Sequence, residues 1–112
     1  MISIEAVLEE DGTLRACSAS GHAGAGKAGT DIVCAAVSVL MRTALKTLSE
    51  KKGITVSGGA PEKGQLWLEV DYDAEGKDFL SAVGVFLLEG LKSVEQEFPE
   101  NCKVNISTLR RT

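Results

Sequence analysis

The segment 20–38, SGHAGAGKAGTDIVCAAVS, decides how this chain folds, because a strand is predicted to end at its start and a helix to begin within it. The strand-like run ends at Ser20, and the apolar spacing of a helix begins near Asp31. Residues 23–30 are small and rich in glycine, which favours a loop. A strand that returns into a helix through such a loop brings the strand end and the helix start together.

The same segment carries the chain's candidate chemistry. It contains the single histidine, His22, and a cysteine, Cys34, which we expect in the first turn of the helix. The unpaired N–H groups and the positive dipole end of a helix stabilise a thiolate over a thiol. An imidazole can exchange a proton with that thiol near neutral pH. His22 and Cys34 are therefore a candidate catalytic pair for acyl transfer, with N–H groups at the helix start as the expected oxyanion donors.

Other residues of the segment have two interpretations each. Asp31 either caps the helix or orients His22, and the strong preference of aspartate for helix caps favours capping. Ser38, one turn beyond Cys34, is either a helix-packing hydroxyl or a hydrogen-bond donor to the site. The loop glycines and lysine form a candidate lid over a bound peptide; they are Gly24, Gly26, Lys27 and Gly29.

Two alternatives compete for these residues. Residues 21–27 fit the phosphate-binding pattern G-x-x-x-x-G-K, but Ala28 follows where Ser or Thr would hold Mg²⁺, and the chain is short for a nucleotide-binding sheet. A free cysteine is also most often a small buried hydrophobe. Cys17 and Cys102, in strand-like runs, fit that description, whereas Cys34 lies at the edge of the helix's apolar stripe.

The pattern along the whole chain predicts the order β-β-α-β-β-α-β. The α+β class follows, with a mixed or antiparallel sheet and both helices packed on one face. Gly84 and Gly90, inside the second helix, predict close packing against a neighbour. The expected strands are 2–9, 13–20, 54–57, 65–72 and 102–109; the expected helices run from Thr30 or Asp31 to about Lys52 and from about Phe79 to just before Pro99.

Composition narrows the class of protein. With 112 residues and 44% hydrophobic content, we expect one domain, 1–112. The N-terminus lacks a signal-peptide pattern, and no apolar stretch is expected to approach the roughly 18 residues of a membrane span, so a cytoplasmic location without membrane contact is predicted. Three cysteines without a C-x-x-C pair and one histidine predict neither a disulfide framework nor a metal site, and no cofactor is expected.

The net charge and the positions of the aromatic residues indicate which partners the protein binds. The net charge of −4 disfavours direct nucleic-acid binding and suits a basic peptide substrate. Trp67 and Tyr72 are expected on an exposed sheet face or edge strand. Such a surface favours aggregation unless another surface covers it. A homodimer is the simplest cover.

Several of these residues together resemble a known signature. Gly21-His22-Ala23, Gly29, Asp31 and the run from Cys34 to Ser38 resemble the motif of the bacterial ribosomal-processing cysteine proteases. The resemblance implies an endopeptidase that removes a short N-terminal extension from one large-subunit ribosomal protein, the twenty-seventh of that set, during ribosome assembly. It also implies a homodimer, with His22 and Cys34 as the catalytic dyad.

Two functions of other classes stay open at this point. A non-catalytic, ribosome-associated binding module would keep the motif for its fold alone and would tolerate Cys34→Ser. A thiol redox sensor would oxidise at Cys34 without cleaving peptides, although no resolving cysteine is near it in the sequence.

Overall fold

The fold is built from a hairpin and a helix, followed by a second hairpin, a second helix and a final strand. The computed structural model describes residues 1–21, 28–61 and 64–109, with the backbone alone for 28–31. The predicted element order is confirmed. The elements are β1 (Ile2–Leu8), β2 (Leu14–Ser20), α1 (Ala28–Ser49), β3 (Ile54–Gly59), β4 (Gln65–Tyr72), α2 (Lys77–Glu97) and β5 (Cys102–Thr108).

The strands form one mixed sheet in the order β3-β4-β2-β1-β5. β5 pairs parallel to β1, and the other neighbours are antiparallel. Alternate residues of each strand point to the same face, and pairs such as Ile4 with Ala19 and Cys17 with Leu68 place the buried residues on one face. α1 lies over β3 and β4 and α2 over β5 and β2, so both helices cover that face.

The two helices run antiparallel and approach closely. Gly90 of α2 lies against Leu40 of α1, where an added Cβ would come within 2.9 Å of a Leu40 methyl carbon. At the other end of the pair, the Lys51 ammonium lies 5.0 Å from the centre of the Phe79 ring. An added Cβ at Gly84 would likewise lie 3.0 Å from the Leu14 Cβ. The close packing predicted at both helical glycines is confirmed.

The boundaries of α1 differ from those expected. It begins at Ala28, before both residues predicted to cap it, and it ends at Ser49 rather than near Lys52. Gly29 therefore lies in the helix and not in the predicted loop. Small residues such as Ala28 can extend a helix backwards at little cost, whereas an N-cap residue is recognised in a sequence only by its side chain.

The open face of the sheet is mostly polar, and its apolar residues include Val7, Ala16 and Trp67. The register pairs Trp67 with Ser18, and its neighbours Leu66 and Leu68 point to the helices, so the predicted outward placement of Trp67 is confirmed. The expectation for Tyr72 is wrong. Tyr72 packs against the core, its hydroxyl donates a hydrogen bond to the Glu9 carboxylate, and β4 is an inner strand. Tyr72 pairs with Ile54, and this register places its side chain on the face of the sheet that the helices cover.

The apolar composition of α1 also corrects one expectation. Its window Ile32–Ser49 has a mean hydropathy of 1.5 and is long and apolar enough to cross a membrane by length and composition. The prediction that no stretch approaches that length is therefore wrong. In the fold, this helix contributes a row of side chains to the core: Val33, Val37, Met41, Ala44 and Leu48.

Candidate functional site

The end of β2 is held in a conformation that only glycine adopts easily. Gly21 has a φ of +105°, and its N–H donates a hydrogen bond to the Gly64 carbonyl at 3.1 Å. A Cβ added there would collide with the Met1 carbonyl oxygen. The chain therefore leaves the sheet toward residue 22 from a fixed point, because the backbone is anchored on both sides.

Gly21→Ala is expected to lower the free energy of unfolding by about 1–3 kcal/mol, since a positive φ and a backbone collision both oppose the added methyl group. Urea denaturation measures the change. Gly12→Ala is the matched control, because Gly12 also has a positive φ (+92°) but nothing within 4 Å of an added Cβ. Equal losses in the two variants would show that the collision with Met1 contributes nothing.

Cys34 lies further into α1 than the sequence pattern predicted. It is the seventh residue of a helix that begins at Ala28, and thus lies in the second turn. The N–H groups without an intrahelical partner belong to the first four residues, 28–31. The dipole effect falls off within the first turn. The expectation that Cys34 lies in the first turn is therefore wrong, and the role of the first-turn amides as its oxyanion donors stays a prediction.

The three thiols differ in exposure as predicted. Cys17 and Cys102 are 1% and 0% exposed, whereas Cys34 is half-buried at the margin of the core. Burial raises the pKa of Cys17 to about 12. Burial, with the nearby Glu95 carboxylate, also raises the pKa of Cys102. Cys34 is thus the thiol that a substrate or reagent can reach.

Iodoacetamide at about pH 7.5 is expected to modify the native protein once, at Cys34, because the thiolate is the reactive form and the other two thiols are buried. Intact-mass measurement and peptide mapping would locate the adduct. Cys34→Ala should give no adduct while folded, and urea-unfolded wild type should give three. Rapid labelling of native Cys17 or Cys102 would contradict the assignment.

One residue on the same side of α1 as Cys34 was not predicted from the sequence. The Arg42 side chain is exposed, and its Nε donates a hydrogen bond to the Ser38 Oγ at 3.0 Å. Cys34, Ser38 and Arg42 follow one another at intervals of four residues, so they form a row along one side of α1. That spacing was the available signal. Ser38 accepts a hydrogen bond from Arg42, and its own hydroxyl can still donate a hydrogen bond to another acceptor.

The structure describes some of the remaining predicted site residues and leaves others outside the described ranges. Gly21 and Cys34 occupy the end of β2 and the second turn of α1. Asp31 and Gly29 lie in the first turn of α1, by their backbone. His22, Gly24, Gly26 and Lys27 lie outside the described residues.

The family comparison covers most of the chain. The family model described as cysteine protease Prp matches residues 1–103, which include the segment carrying His22 and Cys34. A search of curated proteins finds no match to this chain.

Solved structures share the fold over nearly the whole length. SMU.848 from Streptococcus mutans is 27% identical, with a TM-score of 0.81 over 97% of this chain and 96% of that one. The essential ribosomal processing protease Prp from S. aureus, in complex with a covalently linked product peptide, is 21% identical, with a TM-score of 0.80 over 96% of this chain and 100% of that one. The same S. aureus protease in complex with a substrate peptide is 20% identical, again with a TM-score of 0.80, over 96% and 100%. The match over residues 1–103, on a fold with one accessible thiol, shows that this chain belongs to the cysteine protease Prp family.

Proposed function

We propose that this cysteine protease removes a short N-terminal extension from a large-subunit ribosomal protein, the twenty-seventh of that set, with Cys34 as nucleophile and His22 as proton carrier. The observation that carries the proposal is the accessibility of Cys34, since the other two thiols are buried. The chain belongs to a family of cysteine proteases, which need a reactive thiol. His22 is the chain's single imidazole.

The proposed reaction is acyl transfer in two stages. The Cys34 thiolate attacks the scissile carbonyl carbon, and the resulting oxyanion collapses with loss of the amine, which takes a proton from the His22 imidazolium. A thioester then joins Cys34 to the carboxyl end of the N-terminal extension, and the shortened protein leaves with the new amino terminus. Water attacks that thioester, gives its proton to His22, and yields the free carboxylate and the free thiol.

The substrate class is supported by two observations. The S. aureus protease of the same fold is a ribosomal processing protease that has been seen with product and substrate peptides. The net charge of −4 on this chain favours encounter with a basic partner, and segments of ribosomal proteins are commonly basic. A cytoplasmic location follows from that substrate.

The test is the cleavage of the extended ribosomal protein from the same organism, followed by intact-mass spectrometry. Wild type is expected to make one cut, which converts the extended protein to the mature length. A protein that already lacks the extension is the control and should stay intact. Cys34→Ala, incubated in parallel, shows whether a contaminating protease contributes.

The outcome separates the three functions. One defined cut by the folded wild type, absent with Cys34→Ala, supports the proposal. An intact substrate would contradict it and favour a binding module, which co-sedimentation with ribosomes would reveal. A sulfenic acid at Cys34 without turnover would instead favour the redox sensor, although neither Cys17 nor Cys102 is exposed as a resolving thiol.

We also propose that the protein acts as a homodimer. Trp67 is 37% exposed on a mostly polar sheet face, and tryptophan is enriched at protein interfaces. Sedimentation velocity of wild type is expected to give a dimer, and Trp67→Ala should shift the equilibrium toward monomer. A monomeric wild type at tens of micromolar would contradict the dimer, and Phe86→Ala is the control because Phe86 lies on the helical face.

A further inference from the structure

A small apolar pocket lies between α1 and the end of the β3–β4 hairpin. Its lining comes mainly from Met41, Arg42 and Leu45 of α1, from Ala60, and from Leu66 and Trp67 of β4. Its volume is about 70 Å³. A cavity of about 150 Å³ lined by aliphatic and aromatic side chains holds benzene, so this pocket suits one short aliphatic side chain rather than an aromatic ring.

The pocket lies on the same side of α1 as Cys34. At 100° per residue, Met41 and Leu45 fall within about 20° of the line that runs through Cys34 along the helix. Seven and eleven residues at a rise of 1.5 Å place them roughly 10–17 Å from Cys34 along the axis. An extended peptide advances about 3.3 Å per residue. A peptide cleaved at Cys34 and lying along this side of α1 would reach the pocket with a residue about three to five positions from the scissile bond.

The row between Cys34 and the pocket is polar and ends in a positive charge. Arg42, at the rim of the pocket, is held toward Ser38 by the hydrogen bond from its Nε. No salt bridge to Arg42 is found within residues 1–21, 28–61 and 64–109. Its guanidinium therefore keeps donors for a ligand, and its charge disfavours a cationic side chain at the pocket.

We propose that this pocket is a specificity subsite, which takes a short aliphatic side chain of the substrate peptide about three to five residues from the scissile bond and rejects lysine or arginine there. The proposal rests on the proposed peptidase function, because the spacing is measured from Cys34 as the reacting residue. On this proposal, Leu45 and Leu66, with Arg42 and Ala60 at the rim, determine which substrate peptides the protein cleaves.

The test combines peptide variants with enzyme variants. The peptide that spans the cut site of the extended ribosomal protein is replaced residue by residue, at five positions on each side of the scissile bond, by Leu, Ala, Phe, Lys or Glu. Wild type is expected to show one position, three to five residues from the bond, at which kcat/KM is about 10-fold higher for Leu than for Ala, mainly through KM. Phe should be a poorer substrate than Leu at that position, and Lys poorer than Glu.

Ala60→Phe should fill the rim of the pocket, because Ala60 is an exposed residue outside the strands. At the selective position, the difference between the Leu and Ala peptides should then fall below about 3-fold, while cleavage of the Ala peptide persists. Arg42→Gln should reduce the difference between Lys and Glu and leave the Leu preference in place. Ala74→Phe is the matched control, since Ala74 is an exposed turn residue beyond the other end of β4. It should behave as wild type.

The result distinguishes this proposal from the peptidase itself. If wild type cuts the parent peptide but shows no selective position, or if Ala60→Phe keeps the full Leu preference while folded, the subsite is overturned and the peptidase stands. If wild type cuts no peptide and no extended protein, the peptidase function fails first. Thermal denaturation of each variant shows whether a loss of cleavage reflects unfolding.

Discussion

Cys34→Ala is expected to lower kcat for cleavage of the extended ribosomal protein by a factor on the order of 10⁴ or more, because removing the nucleophile abolishes the covalent route. His22→Ala should cost a factor of about 10²–10⁴, the usual contribution of a positioned general acid or base. The double variant should be close to Cys34→Ala, since the two groups act in one step. Single-turnover mass spectrometry gives these rates.

Cys17→Ala is the control for the loss of a thiol. Cys17 is buried in the sheet, where it pairs with Ala6 and Leu68, and its removal should leave the rate within about 3-fold of wild type if the acyl transfer uses Cys34 alone. A Cys34→Ala enzyme that keeps full activity would contradict the assignment of the nucleophile. A His22→Ala enzyme with full activity would leave Cys34 as nucleophile and assign the proton transfer to another group.

Leu91→Ala is expected to lower the free energy of unfolding by about 2–5 kcal/mol, because it opens a cavity between the helices and the sheet. Leu91 is 0% exposed and lies on the buried side of α2. Small domains have a total stability of only about 5–15 kcal/mol, so the melting temperature should fall by roughly 8 °C or more. Urea and thermal denaturation, followed by circular dichroism, measure both quantities.

Phe86→Ala is the control for Leu91→Ala. Phe86 is on the same helix and loses a larger side chain, but it is 74% exposed. Its replacement should change the stability by less than about 0.5 kcal/mol, as is usual at exposed positions. Similar losses in both variants would contradict the placement of Leu91 in the core and of Phe86 at the surface.

The strands and α2 could be predicted because their patterns are local. Leu66, Leu68 and Val70 alternate with polar residues and Trp67, and this alternation alone puts Trp67 on the open face. α2 ends at Glu97, just before Pro99, because proline disfavours helical backbone in the residue before it. Each signal involves residues only a few positions apart in the chain, and the tertiary contacts of this fold agree with it.

The start of α1 and the surroundings of Cys34 were predicted less well. The sequence pattern predicts a helix start at a cap residue such as Asp31, yet the helix continues back to Ala28. The apolar residues of the pocket lie far apart in the chain, on α1 and on the β3–β4 hairpin. No spacing rule relates Leu45 to Leu66, because their contact depends on how α1 crosses the sheet.

The sequence by itself determined the element order, the α+β class, the outward face of Trp67 and the candidate pair of His22 and Cys34. All of these rest on periodicity or on residue chemistry within short segments. Only the tertiary structure decided that β5 pairs parallel with β1, that Cys34 lies in the second turn of α1, and that a pocket lies beside Arg42. These features depend on which distant surfaces pack together, and that choice is made by burial of the whole core at once.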